Sequence, residues 1–293
     1  MIQGVVIQGI GSFYTVKTPQ GELYTLRAKR KLRHQKVTPL IGDEILFSLG
    51  DSKEAHGWIE EILPRKNVCL RPPVANLSLL AIVVAPQPQP DFLLVDKLLI
   101  YALMQNLRVL LIVNKSDIDS KIFDVIQEQY KSANITCLSV SAVGKQGIEK
   151  LRTHLTGETT CFSGQSGVGK STLLNELLGM EVQTGEISAK ILRGKNTTRH
   201  SQMYEKDGVC ILDTPGFSLL DLQPGMEPIT LQNYYPEFQA YHNECRFQPC
   251  YHFSEPGCAV LEAVKDNVIS EKRMARYHQL LEQCKQLWRE RYD

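Results

Sequence analysis

Short apolar runs broken by turn residues open the chain, and longer, nearly unbroken apolar runs alternate with helical patterns through its middle. The β-prone runs at 4–7, 13–16, 22–26, 44–47 and 58–62 are divided by Gly, Pro and Asp turns. Five short strands within residues 1–68 predict a small all-β barrel, with an OB-fold as the leading candidate. From 69 to 225 strands expected at 79–85, 109–114, 135–141, 159–164 and 209–214 alternate with helices expected at 92–105, 123–132 and 170–178. Strands apolar at nearly every position need cover on both faces, which implies a parallel sheet between two layers of helix. Residues 226–293 change character again: Pro224, Gly225 and Pro228 punctuate the entry, a Cys/His-rich stretch follows, and the tail is charged and mostly helical. The expected organisation is three domains, at 1–68, 69–225 and 226–293.

Charge adds no global signal, because 33 basic residues stand against 32 acidic ones. Any nucleic-acid contact must come from a local patch. One candidate is Arg27, Lys29, Arg30, Lys31, Arg33 and Lys36. Such a run reads either as a solvated loop or, on a small barrel, as a surface for single-stranded nucleic acid. No apolar run approaches the ~18 residues of a membrane span, and no basic-then-apolar leader pattern follows Met1. A cytoplasmic, monomeric protein without a membrane partner is expected. Of eight cysteines, Cys69, Cys137, Cys161, Cys210 and Cys284 are scattered singly, which fits reduced thiols in a cytosolic protein.

The chemistry begins at Gly164-Gln165-Ser166-Gly167-Val168-Gly169-Lys170-Ser171, a complete G-x-x-x-x-G-K-S between an expected strand and an expected helix. Its glycines let backbone N–H groups curl around phosphate oxygens, and the helix N-terminus adds partial positive charge. Lys170 is expected to reach the β- and γ-phosphates, with Ser171 ligating Mg²⁺ and Thr172 completing the phosphate-binding set. Asp213-Thr214-Pro215-Gly216 ends an apolar run; Asp213 is placed to hold Mg²⁺ through water and the Gly216 N–H to sense a γ-phosphate.

Asn114-Lys115-Ser116-Asp117 follows another apolar strand, and its carboxylate can accept from guanine N1–H and the exocyclic amine. Adenine has no equivalent amine, so the carboxylate would stay poorly paired. Asn114 and Lys115 would brace this loop, and Ser141-Ala142, after the next strand, offers a backbone N–H to guanine O6. The motifs run in an unusual order: the base-reading loops precede the phosphate loop. The sheet can still form if the usual termini are joined and the chain is opened after the Asp-x-x-Gly segment. The fold expected is therefore a circularly permuted α/β P-loop GTPase core between an N-terminal barrel and a C-terminal helical domain. The segment after Gly216 then leads directly into the Cys-rich region.

Cys245, Cys250, His252 and Cys258 form C-x4-C-x-H-x5-C, three thiolates and one imidazole suited to a closed, structural tetrahedral Zn²⁺ site. His242 falls outside that spacing and is not expected to ligate.

Permuted motifs, an N-terminal barrel and this Cys/His segment together resemble the RsgA (YjeQ/YloQ) family over essentially the whole chain. The resemblance implies an OB-fold, a GTPase core, a zinc domain, and cytoplasmic GTP hydrolysis stimulated by the small ribosomal subunit during its maturation. It assigns the basic run to rRNA contact. Gly194-Lys195-Asn196-Thr197-Thr198 resembles the family's first switch, G-x-H-T-T, so that Thr197 or Thr198 meets Mg²⁺ and the γ-phosphate. Asn196 stands where the family has a histidine; an amide can orient water but cannot act as a general base. His200 lies four residues on as a substitute, and Phe217 occupies the place of a water-orienting glutamine. Slow intrinsic turnover is expected. Two rival readings stay open: a nucleotide-gated RNA- or ribosome-binding switch with negligible turnover, and an ATPase, against which Asp117 argues.

Overall fold

The computed structural model describes residues 1–34, 37–50, 56–70, 73–179, 202–213, 222 and 225–292. Strands β1 (Ile2–Ile10), β2 (Phe13–Lys17), β3 (Leu23–Ala28), β4 (Glu44–Ser48) and β5 (Gly57–Ile62) follow one another in order β1-β2-β3-β5-β4. β1 is long enough to pair antiparallel with both β2 and β4, which closes the ring. Val6, Val16, Leu26, Ile45, Phe47 and Ile59 point inward and are fully buried. Closure depends on Gly4, where a Cβ would stand 2.5 Å from a Val16 methyl. All five strands fall on the runs read from sequence. The basic run, however, starts on β3 at Arg27 and continues through a short helix, α1 (Arg30–His34), whose Leu32 packs into the barrel core.

A small hairpin, β6 (Val68–Leu70) and β7 (Pro73–Ala75), leads into the second sheet. That sheet is built from β8 (Leu79–Val84), β9 (Arg108–Val113), β10 (Thr136–Ser139), β11 (Thr159–Ser163), β12 (Gln202–Lys206) and β13 (Val209–Asp213). Their order is β10-β9-β8-β11-β13-β12, all parallel except β12. Helices α2 (Phe92–Met104), α3 (Lys121–Tyr130), α4 (Ile148–Leu155) and α5 (Lys170–Leu178) cover both faces. The continuous apolar run of β8 is explained by this sandwich: Leu80, Ile82 and Val84 enter one core, Leu79, Ala81 and Val83 the other. The first core takes in α2 and α3, the second α4 and α5. β12 also pairs with the barrel, Gln8 opposite Gln202, and Lys17 meets Glu205 at 2.9 Å.

Past Leu222, two 3₁₀ helices (Pro228–Tyr234 and Pro236–Tyr241) precede α6 (Ala259–Lys265) and α7 (Glu271–Arg289). Leu231, Tyr235, Phe238, Val260, Tyr277 and Leu280 form their core, and Ile100 of α2 joins it. Beside it lies a buried ionic cluster. Arg273 of α7 pairs with Asp96 of α2 at 2.6 Å and with Glu237, while Arg276 reaches the second Asp96 oxygen at 2.6 Å. The Tyr130 hydroxyl donates to Asp96 at 2.7 Å. Burial opposes charge on Arg273, but Asp96 and Glu237 outweigh it and hold the guanidinium protonated above its usual range.

Candidate functional site

Three loops meet at the C-terminal ends of the parallel strands, where open α/β sheets place their ligands. Strand order makes this possible: β11, which carries the glycine-rich loop, is separated from β9 only by β8. Gly164 has φ 133°, and a Cβ there would lie 2.1 Å from the Val83 carbonyl oxygen. Gly169, φ 91°, caps α5, and a Cβ would stand 2.4 Å from the Asn114 amide nitrogen. No other residue fits either position. Lys170 Nζ lies across the loop, donating to the carbonyls of Gly164 (2.7 Å) and Gln165 (2.6 Å), and burial lowers its pKa. Ser171 is partly buried and Thr172 exposed at the start of α5.

Asn114, buried after β9, ties the three loops together. Its Nδ2 donates to the Val168 carbonyl at 2.9 Å, and its Oδ1 accepts from the Ala142 N–H at 3.2 Å. Lys115, at φ 61°, turns back to donate from Nζ to the carbonyls of Gly167 and Gln87, each at 2.7 Å. Ser141 Oγ donates to Asp117 Oδ1 and accepts from the Gly144 N–H at 2.9 Å. One Asp117 oxygen is thus fixed by Ser141, which orients the carboxylate as a planar double acceptor.

The structure therefore brings together Asn114, Lys115, Asp117, Ser141, Ala142 and the loop 164–171. Asp213 ends β13 beside β11. Asn196, Thr197, Thr198, His200, Thr214, Pro215, Gly216 and Phe217 lie outside the described residues, as does Lys36. The loop after β8 is a part of the site that the sequence reading did not single out. Pro88 lies 3.5 Å from where a Gly167 Cβ would be, and the Asp91 N–H donates to Gln165 Oε1 at 2.8 Å. The available signal was topological: this loop must sit between its neighbours once β8 lies between β9 and β11.

A second cluster lies in the C-terminal region. The ligand atoms of Cys245, Cys250, His252 and Cys258 all fall within 4.8 Å of one another, and all four residues are buried. Cys245 and Cys258 Sγ are 3.8 Å apart, and His252 Nδ1 is 3.2 Å from Cys258 Sγ and 3.6 Å from Cys245 Sγ. Zn–S bonds of about 2.3 Å in a tetrahedron give S···S edges of about 3.8 Å. The set fits a tetrahedral zinc ion. Gln232, whose amide nitrogen donates to the Ile229 carbonyl at 2.9 Å, accepts from His252 Nε2–H at 2.7 Å. That bond places the free lone pair on Nδ1, facing the thiols. His242 is outside the set of four.

Fold and site define a P-loop nucleotide-binding protein with a permuted order of motifs. The RsgA GTPase family profile matches residues 62–223 and the RsgA N-terminal domain profile residues 3–59. The chain belongs to the RsgA GTPase family. It is 43% identical over 97% of its length to the small ribosomal subunit biogenesis GTPase RsgA of Ruminiclostridium cellulolyticum, covering 94% of that protein. The same-named protein of Clostridium beijerinckii is 39% identical, covering 96% of this chain and 97% of that one. Among solved structures, YjeQ from Thermotoga maritima superposes with a TM-score of 0.82 at 31% identity, covering 97% of this chain and 98% of the other. YloQ, a circularly permuted GTPase, gives 0.80 at 26% identity, with coverage of 98% and 96%.

Proposed function

We propose that this protein hydrolyses GTP to GDP and phosphate during late maturation of the small ribosomal subunit, with turnover stimulated by the subunit. The observation that carries the reading is the Ser141–Asp117–Asn114 arrangement, which presents a guanine-selective carboxylate and ties it to the phosphate loop. Relatives 43% and 39% identical that are named as small ribosomal subunit biogenesis GTPases support the process.

Asp117 accepts from the base, the Ala142 N–H faces guanine O6, and Lys115 covers the base while bracing Gly167. Gly164, Gln165, Ser166, Gly167, Val168 and Gly169 wrap the phosphates with backbone N–H groups. Lys170 exchanges its loop carbonyls for phosphate oxygens and stabilises charge as the γ-phosphoryl group leaves; Thr172 adds a hydroxyl. Ser171 and Asp213 would hold Mg²⁺, which would supply positive charge to stabilise the phosphates. Thr197 or Thr198 joins them, and Asn196 or His200 orients the attacking water. Cys245, Cys250, His252 and Cys258 hold one structural zinc. Domains at 1–68, 69–225 and 226–293 are supported by cores centred on the barrel, the sheet and the C-terminal region, with Ile41 reaching into the sheet core and Ile100 of α2 into the C-terminal one. The protein acts as a cytoplasmic monomer, with barrel and zinc domain as rRNA-facing parts.

GTP turnover with and without purified small subunits tests this reading. Stimulation supports it; equal, negligible rates favour the second reading, a nucleotide-gated ribosome-binding switch, which Asn196 at the family's histidine position motivates.

A further inference from the structure

The junction between the barrel and the nucleotide-binding sheet carries a pair of glutamines that the site described above does not use. β1 and β12 meet with Gln8 opposite Gln202, and Gln8 Nε2 donates to Gln202 Oε1 at 3.3 Å. A bulge aims Gln8 there. Val6 lies opposite Val16 and Gln8 opposite Thr15, so β1 advances two residues where β2 advances one. In a regular strand Gln8 would follow the buried Val6 into the barrel core, because alternate residues share a face. The extra residue, Ile7, turns Gln8 outward instead, and bulges re-aim side chains beside functional sites. Thr15 Oγ donates to Gln8 Oε1 at 3.5 Å, which leaves the amide nitrogen for Gln202.

On its other side Gln202 adjoins the nucleotide site. It is the register partner of Asp213 in the β12–β13 ladder, so two cross-strand steps lead from the barrel to a residue assigned to Mg²⁺. Gln202 shares its face of β12 with Tyr204, which packs into the core beneath α5 and donates to Gln202 Oε1 at 3.5 Å. Ser171, the other residue assigned to the metal, stands in the first turn of that helix.

We propose that Gln8 is a positioning residue for the magnesium site: it holds Gln202, and through that rung it fixes the end of β13 that carries Asp213. The proposal rests on the assignment of Asp213 to the metal under Proposed function. It makes the barrel part of the nucleotide site, so that shifting the barrel off β12 loosens the metal. Packing does not account for the pair, since both amides are partly buried and belong to no hydrophobic core. Nor is the pair needed simply to join the domains, because Lys17 meets Glu205 further along β12 at 2.9 Å. What Gln8 adds is a fixed position at the Asp213 end of the ladder.

A metal held jointly by phosphates and protein slows nucleotide release. The test follows release of a fluorescent, non-hydrolysable GTP analogue from the full chain over a magnesium titration that starts in magnesium-free buffer. Gln8→Met keeps the length of the side chain and removes its amide. It should raise the magnesium concentration for half-maximal slowing by about three- to tenfold, the worth of one hydrogen bond. Release without magnesium should match the parent, which also shows that the variant is folded. Gln202→Met should give the same shift, and the double variant no more. Lys17→Met, which loosens the barrel without touching the Asp213 rung, should respond like the parent. An unshifted Gln8→Met, additive shifts in the double variant, or an equal shift in Lys17→Met overturns the proposal. Asp213→Ala tests its premise and should abolish the magnesium effect. If it does so while Gln8→Met behaves as the parent, only the positioning role falls. A parental response in Asp213→Ala, or a parent indifferent to magnesium, removes the assignment of Asp213 and the proposal with it.

Discussion

Asn114 and Val168, 54 residues apart, are joined by a 2.9 Å hydrogen bond that fastens the loop after β9 to the glycine-rich loop after β11. The same amide accepts from the Ala142 N–H, so one buried side chain sets the spacing between the three loops. Asn114→Ala leaves the Val168 carbonyl and the Ala142 N–H without this partner, at about 1–3 kcal/mol for each unsatisfied group. GDP affinity, read by titration calorimetry, should fall by about tenfold or more. Unchanged affinity would separate Asn114 from the site.

Asp117→Ala removes both acceptors for guanine while leaving the phosphate loop intact. Hydrogen bonds to a charged acceptor are worth about 1.5–3 kcal/mol each, so GDP should bind on the order of 100-fold more weakly. The preference for GDP over ADP should collapse with it. A parent protein that binds ADP more tightly than GDP would restore the ATPase reading.

Hydrolysis is expected to be slow in the isolated protein, well below the ~10 per second of a typical enzyme. Restoring an imidazole with Asn196→His should raise subunit-stimulated turnover by roughly tenfold or more, since a placed general base contributes about 10²–10⁴. Equal rates for parent and variant would remove position 196 from the chemical step.

Arg273 is enclosed by Asp96, Glu237 and the rings of Tyr130 and Tyr235. Arg273→Met leaves Glu237 buried without its ion-pair partner, a change that costs about 3–5 kcal/mol. The melting temperature should drop by several degrees. Arg273→Lys should not restore it, because an ammonium cannot span both carboxylates as a planar fork does.

Purified protein should contain one zinc ion per chain by elemental analysis. Chelation should lower the melting temperature, as removal of a structural metal does. Gln232→Ala frees the His252 ring and should weaken zinc affinity about 10–100-fold in a competition titration. Retention of the metal at parental affinity would show that Gln232 does not set the ring.

The site was legible where its residues are contiguous: 164–171, 114–117 and 141–142 each keep their chemistry within a few positions. Gln87, Asp91 and Gln232 were not, because each is defined by a partner from another part of the chain. Local pattern also explains the missed elements. α4 buries only Ile148, Leu151 and Leu155 in eight residues, and β12 has the single buried residue Met203, its strand character resting on β13. α1 was hidden because a basic run carries no periodicity. Arg273 and Arg276 read as part of an evenly mixed, solvated tail, and only the approach of α2 to α7 reveals them as an inter-element clamp.

The position of β8 also imposes a timetable on biosynthesis. Its partner on one side, β9, is translated next, but the partner on the other, β11, is separated by some eighty residues, from Leu79 to Thr160 in register. While the ribosome makes that stretch, the nascent sheet presents Leu79–Val84, an edge buried at every position in the finished protein. Such an edge is a template for mispairing and a target for chaperones. Nucleotide cannot assist at this stage, because Lys170 and Ser171 have yet to emerge. Permutation thus places the phosphate loop downstream of the whole stretch during which this edge waits for β11.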